Sequence, residues 1–92
     1  MSSKPTPSQI SAAVKRVIAK AKGKSPASIK HANHLVNDLG FSAAGKLGLA
    51  ALLNAEFIRI GFPPDPRLHE RHSEIANTVG NLVSMYRFIF EV

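Results

Sequence analysis

Apolar residues recur at helical spacing in three separate stretches of the chain. Residues three, four or seven positions apart share one face of a helix. The first stretch contains Ile10, Val14, Val17, Ile18 and Ala21. The second contains Ala44, Leu47, Leu49, Ala50, Leu53 and Phe57, and the third contains Val79, Leu82, Val83 and Tyr86. We therefore predict three long helices that pack their apolar faces into one core.

Local signals indicate where these helices begin and end. Ser8 is expected to cap the first helix, because a serine side chain can accept a hydrogen bond from a free amide of the first turn. Gly23 is expected to end it, since glycine readily adopts a left-handed backbone. Thr78 is expected to cap the last helix. Residues 1–7 are predicted to form a flexible tail, and residues 8–92 a single domain, because 92 residues allow one small core.

The segments between and after the long helices carry weaker signals. Residues 24–37 form a long connection with Pro26 and room for one helical turn. Its expected core anchors are Ile29, Leu35 and Val36. Several prolines follow Gly61, and residues 68–75 are predicted to form one short helix after them. The chain ends on Phe88, Ile89, Phe90 and Val92, which are expected to pack back on the bundle. The predicted architecture is all-α: a small four-helix bundle with three long helices and one short one.

A sharp turn is predicted between the long loop and the second helix, at Asp38-Leu39-Gly40. The Asp38 carboxylate can hydrogen-bond to backbone ahead of it, and Gly40 can adopt the positive φ that a reversal requires. The helix then runs from Ala43 to Glu56-Phe57.

In its order and spacing, this stretch resembles the acyl carrier protein family. There, Asp-Leu-Gly is followed by Asp-Ser-Leu and by a helix that ends in Glu-Phe. Thr78-Val79-Gly80 is a further similarity, and the resemblance extends from Ile10 to about Tyr86. It implies the four-helix bundle of acyl-carrier type and a role in fatty-acid or polyketide-type acyl transfer. It also implies 4′-phosphopantetheine as the cofactor, carried on the serine three residues after the glycine.

The attachment serine of that family is absent here. Counting from Gly40 or back from Phe57 places Ala43 at the serine position, Ser42 at the aspartate position and Ala44 at the leucine position. A methyl group cannot form a phosphodiester, so phosphopantetheine cannot be attached at Ala43. The alanine is either a natural loss or an engineered replacement of serine. Ser42 is the nearest hydroxyl, but it lies one residue early.

Charge is distributed unevenly along the chain. Seven of the 12 basic residues precede Asp38, where there is no acidic residue, and the formal net charge is +6. Four of them, Lys15, Arg16, Lys20 and Lys22, lie off the apolar stripe of the first helix and are expected to be solvated. Acyl carrier proteins typically have an acidic second helix, whereas the second helix predicted here has a single carboxylate, Glu56. A small basic helical protein that binds nucleic acid or another anionic partner is therefore the alternative function.

The resemblance places the partner surface on the turn and the second helix. The residues expected to contact acyl-transfer or acyl-chain-modifying enzymes are Phe41, Lys46, Leu47 and Ala51. We expect these groups to be exposed or half-exposed. Nucleic acid is the less favoured partner, because no surface combining aromatic and basic residues is evident.

Other chemistry is only weakly indicated. The chain has no cysteine and four histidines, which form two His-x-x-H pairs, His31/His34 and His69/His72. Zinc-protease helices instead place histidines four residues apart with a glutamate after the first. We therefore predict no metal site and no catalytic residue. No apolar run reaches the length of a membrane span and no secretory signal is evident, so a cytoplasmic monomer is expected.

Overall fold

The computed structural model describes residues 4–63 and 76–92. They form three α-helices: α1 (Pro7–Lys22), α2 (Ala43–Arg59) and α3 (Val79–Phe90). A short 3-10 helix, Pro26–Ser28, follows α1. The described residues contain no strand, only one isolated antiparallel bridge between His34 and Thr78. The all-helical prediction is confirmed for these ranges, and the predicted short helix 68–75 lies outside them.

The first helix begins earlier than predicted. Thr6, not Ser8, is the N-cap: its side chain accepts a hydrogen bond from the Gln9 amide, and the Gln9 side chain accepts one from the Thr6 amide. This reciprocal pair satisfies two donors that helix formation leaves free. Pro5 is fully buried and Pro7 is already helical, so residues 5–7 of the expected tail are part of the folded domain. At the other end, Gly23 ends the helix with φ 64°, as predicted.

One continuous core joins the three helices. α1 packs against both α2 and α3, whereas α2 and α3 meet through large aromatic side chains. The ring centroids of Phe57 and Tyr86 are 4.6 Å apart, and those of Phe57 and Phe90 are 5.2 Å apart. The Tyr86 hydroxyl donates to Asn54 Oδ1 at 3.1 Å, and burial raises the pKa of Tyr86 above its ordinary value.

The predicted core faces are largely correct, with several exceptions. All four predicted residues of α3 are buried, as are Leu49, Ala50, Leu53 and Phe57 of α2. Ala21 and Ala44 are instead exposed, while Val17 and Leu47 are half-buried. The apolar chain end is divided: Ile89 and Phe90 are buried, but Phe88 is 76% exposed and Val92 37% exposed. The expectation that this end packs back on the bundle is therefore correct for only part of it.

The long connection between α1 and α2 is held against the start of α3. Three backbone bonds join them: Leu35 N to Asn77 O, Val79 N to Asn33 O, and Gly80 N to His31 O. Gly80 permits this approach, because a Cβ atom there would lie 3.3 Å from the His31 carbonyl oxygen. Ile29 and Leu35 anchor the connection in the core as predicted. Val36 does not, since it is 47% exposed.

Candidate functional site

The turn before α2 is closed by its own backbone and by one carboxylate. Asp38 Oδ2 accepts a hydrogen bond from the His34 amide at 2.7 Å, so it bonds backwards along the chain rather than ahead. The Asp38 and Leu39 amides both donate to the His34 carbonyl. Gly40 has φ 71°, the left-handed conformation that the sequence predicted for it. The turn therefore fixes the direction in which α2 starts.

Ser42 and Ala43 differ in their roles at the start of α2. Ser42 is the N-cap, and its Oγ accepts a hydrogen bond from the Gly45 amide at 3.0 Å. Ala43 is the first residue of the helix, and its side chain is exposed. The position that the resemblance assigns to cofactor attachment is thus accessible but bears only a methyl group. The hydroxyl beside it is engaged in capping the helix.

Phe41 is buried, and its predicted place on an exposed partner surface is wrong. Only 6% of the residue is exposed, because its ring packs into the core. The Lys22 ammonium lies 4.4 Å from the centre of this ring and also donates to the Gly40 carbonyl at 3.1 Å. Such a contact adds a cation–π attraction to the hydrogen bond. Lys22 is therefore not simply solvated, as its sequence position suggested; it holds the turn to α1.

The other three predicted contact residues lie on α2 at or near its surface. Ala51 is exposed, whereas Lys46 and Leu47 are half-buried. They extend over about one and a half turns, since a helix has about 3.6 residues per turn. The exposed part of the expected partner surface is thus small and carries one cation. Nothing in this part of the surface indicates a role other than contact with a partner.

An ion-pair cluster joins α1 to α2, and only one of its two pairings can be predicted from sequence spacing. Glu56 Oε2 accepts from Arg16 Nε at 3.0 Å and from Arg59 Nη2 at 2.8 Å, while Oε1 accepts from Arg59 Nε at 2.9 Å. The hydrogen bonds from Arg59 and then Arg16 lower the pKa of Glu56 from 4.5 to about 2, although burial opposes the shift. The pairing of Glu56 with Arg59 can be predicted from the sequence, because the two residues are three positions apart on one helix. Arg16 is 40 residues away along the chain and only folding brings it there.

The two histidines in the described residues, His31 and His34, are not grouped with further potential metal ligands among those residues. His31 Nε2 lies 2.7 Å from Ser11 Oγ, and His34 Nδ1 is buried with no hydrogen-bond partner. Within residues 4–63 and 76–92, no group of three or more potential ligands is close enough to hold a metal ion. His69 and His72 lie outside those ranges. The absence of a metal centre therefore stays a prediction for the whole chain.

Comparison with known proteins adds no assignment. No protein-family model matches the chain, and no curated protein matches it. None of the described helices has the length and apolar character needed to cross a membrane.

Proposed function

We propose that the chain is an acyl-carrier-type binding module whose attachment position, Ala43, cannot carry 4′-phosphopantetheine. One observation carries the proposal: residue 43 is exposed and is the first residue of α2, directly after the Gly40 turn and the Ser42 cap. The resemblance assigns the cofactor to this same residue, in a register counted from both Gly40 and Phe57. An accessible side chain at a fixed helix start suits enzymatic modification, because the modifying enzyme must reach it.

The residues present do not fit the cofactor itself. A phosphodiester needs a side-chain oxygen, and Ala43 has none. Ser42 has one, but its oxygen already accepts the Gly45 amide, and losing such a cap costs about 1 kcal/mol. The chain in this form would therefore bind enzymes of acyl transfer without delivering an acyl group to them. The half-buried Lys46 and Leu47 and the exposed Ala51 are the contact residues we propose.

Loading by a phosphopantetheinyl transferase with coenzyme A tests the proposal. The unaltered chain should keep its intact mass, and Ala43→Ser should gain one phosphopantetheine group. A second variant, Ser42→Asp combined with Ala43→Ser, restores the aspartate-serine pair. It keeps a side chain that caps helices well, so the start of α2 should be preserved.

Three results are informative. Loading of either serine variant, with peptide mapping to residue 43, would support the assignment. Failure of both variants, with helical circular dichroism retained, would overturn it. Modification of the unaltered chain at Ser42 would show that the register is wrong by one residue. Ser84, which is exposed on α3, provides an internal control for unspecific modification.

A second candidate function is binding of an anionic partner through the basic first third of the chain. Four lysines there, Lys15, Lys20, Lys24 and Lys30, make no ion pair within the described residues. Nucleic acid is one such partner, although α1 carries no aromatic side chain on which a base could stack. Binding of a short DNA duplex that weakens steeply as salt is raised would favour this function. No binding at about 0.15 M salt would exclude DNA as the partner.

A further inference from the structure

A groove with an apolar floor lies between α1 and α2. Its volume is about 320 Å³, and its apolar lining comes from Val17 and Ala21 on α1 and from Leu52 and Ala55 on α2. Leu52 is 52% exposed, which leaves a large aliphatic side chain facing solvent. None of the residues proposed to contact acyl-transfer enzymes lines this groove. The groove therefore does not include those contact residues, although Ala51 lies one turn from Ala55 on the same side of α2.

Basic side chains border the groove. Lys20 and Arg59 line it, and a neighbouring depression that shares both residues also includes Arg16 and Lys24. Among residues 4–63 and 76–92, the two depressions together contain four cations and one carboxylate, Glu56. That carboxylate is already bonded to Arg16 and Arg59, so it does not balance the lysines. The charge at this border is positive, whereas the floor is apolar.

We propose that this groove binds an acidic amphipathic segment of a partner protein. An apolar side chain of the partner would cover Val17 and Leu52, and carboxylates beside it would pair with Lys20 and Lys24. Apolar burial supplies most of the affinity in such contacts, while opposite charges speed association and exclude basic competitors. The inference is independent of the carrier proposal, because it uses neither residue 43 nor the contact residues of that proposal.

Size and shape favour a protein segment over other anions. Pockets for small molecules usually have volumes of about 300–1,000 Å³, so this groove is at the lower end and suits side chains projecting from a larger partner. Nucleic acid would offer phosphates to the lysines but would leave the apolar floor without a matching surface. A lipid headgroup would do the same unless its acyl chain also entered.

A designed peptide provides the probe. It is a helix of about 16 residues, long enough to be partly helical alone, with leucines on one face and glutamates on the other. A matched peptide carries lysines in place of the glutamates. Each is titrated into ¹⁵N-labelled protein at about 0.15 M salt. We expect the acidic peptide to shift the amides of Val17, Lys20, Leu52 and Ala55, and the basic peptide to leave them unchanged.

Paired variants then separate the groove from the general surface. Leu52→Asp and Lys20→Glu should each weaken binding of the acidic peptide about tenfold, which corresponds to about 1.4 kcal/mol. Their controls are Ile58→Asp, at a position 60% exposed on the same helix, and Arg87→Glu, at an exposed arginine of α3 outside both depressions. The controls should change affinity by less than about twofold, a difference of about 0.4 kcal/mol.

Several outcomes would overturn the proposal. They include no shift with the acidic peptide, equal binding of the basic peptide, and equal weakening by Ile58→Asp and Leu52→Asp. Vesicles containing phosphatidylglycerol are a further arm of the test. If they perturb the groove amides while the acidic peptide does not, the surface binds anionic lipid and the protein-partner proposal is wrong. A DNA duplex that alone shifts these amides would likewise assign the surface to nucleic acid.

Discussion

Replacement of Glu56 by glutamine should destabilise the fold at neutral pH and should have little effect in strong acid. The side chain is 13% exposed and is bonded to arginines on both α1 and α2. Glutamine has nearly the same shape but no charge, so it removes the attraction and leaves two neighbouring guanidinium groups unpaired. The change therefore tests the charge of Glu56 separately from its packing.

The magnitude follows from the pKa of Glu56, which falls from 4.5 to about 2 in the folded protein. Each pKa unit corresponds to about 1.4 kcal/mol, so the full shift would be worth about 3 kcal/mol. Arg16 and Arg59 are 41% and 65% exposed, and water and salt screen charges in such positions. We therefore expect a loss of about 1–2 kcal/mol on substitution at pH 7.

The sign of the pH dependence is fixed by the direction of the shift. The folded protein holds the proton of Glu56 less tightly than the unfolded chain does. The stabilisation is therefore fully present above about pH 4.5 and is lost as pH falls towards 2. Below that pH the original protein and the Glu56→Gln variant should have nearly equal free energies of unfolding.

Urea unfolding followed by circular dichroism, at a series of pH values from neutral to strongly acidic, measures this difference. Urea is preferred to guanidinium chloride because a salt would screen the cluster under study. Glu91→Gln is the matched control: its carboxylate lies 3.5 Å from Lys4, and its side chain is 66% exposed. It should change stability by less than about 1 kcal/mol. A Glu56→Gln loss that is equal at neutral and acid pH would refute the argument and indicate a packing defect instead.

Two further predictions concern α2 and the turn before it. Leu53→Ala should lower the free energy of unfolding by about 2–5 kcal/mol, because Leu53 is fully buried. Leu52→Ala, at a half-exposed position, should lower it by less than about 1 kcal/mol. Equal losses in thermal or urea unfolding would contradict the assigned helix face. Gly40→Ala should destabilise by about 1–2 kcal/mol through its φ of 71° alone, since a Cβ there meets no atom within 4 Å. Gly48→Ala should stabilise by up to about 1 kcal/mol, because Gly48 is helical and equally open; the same sign for both glycine variants would be incompatible with the described backbone.

Individual residues show why sequence reasoning reached some features and missed others. Gly23, Gly40 and Thr78 were predicted correctly because their roles depend on backbone geometry within a few residues. The sequence predicts Ser8 as the N-cap of the first helix, but Thr6 is the N-cap in the structure. Both residue types can cap a helix, and only the cooperating Gln9 side chain decides between them. Local signals thus identify that a helix begins, and neighbouring side chains select the residue.

Exposure was harder to predict for residues whose neighbours come from other elements. Phe41 follows a turn and looks available to a partner, but it is buried beneath Lys22 of α1. Val36 looks like a core anchor beside Leu35, but the loop directs it outwards. The alternation of apolar and polar residues cannot settle such cases in irregular segments, because it has no fixed period there.

The amino-acid sequence is enough to predict the helical character of the described ranges, the approximate limits of α2, the core face of α3 and the absence of a side-chain hydroxyl at residue 43. These features depend on periodicity, turn residues and the chemistry of single side chains. Only the tertiary structure placed Arg16 against Glu56, Lys22 over Phe41 and the 31–35 segment against the start of α3. It also formed the groove between α1 and α2. The physical reason is that these contacts join residues far apart in the chain, and their positions depend on how the helices pack together.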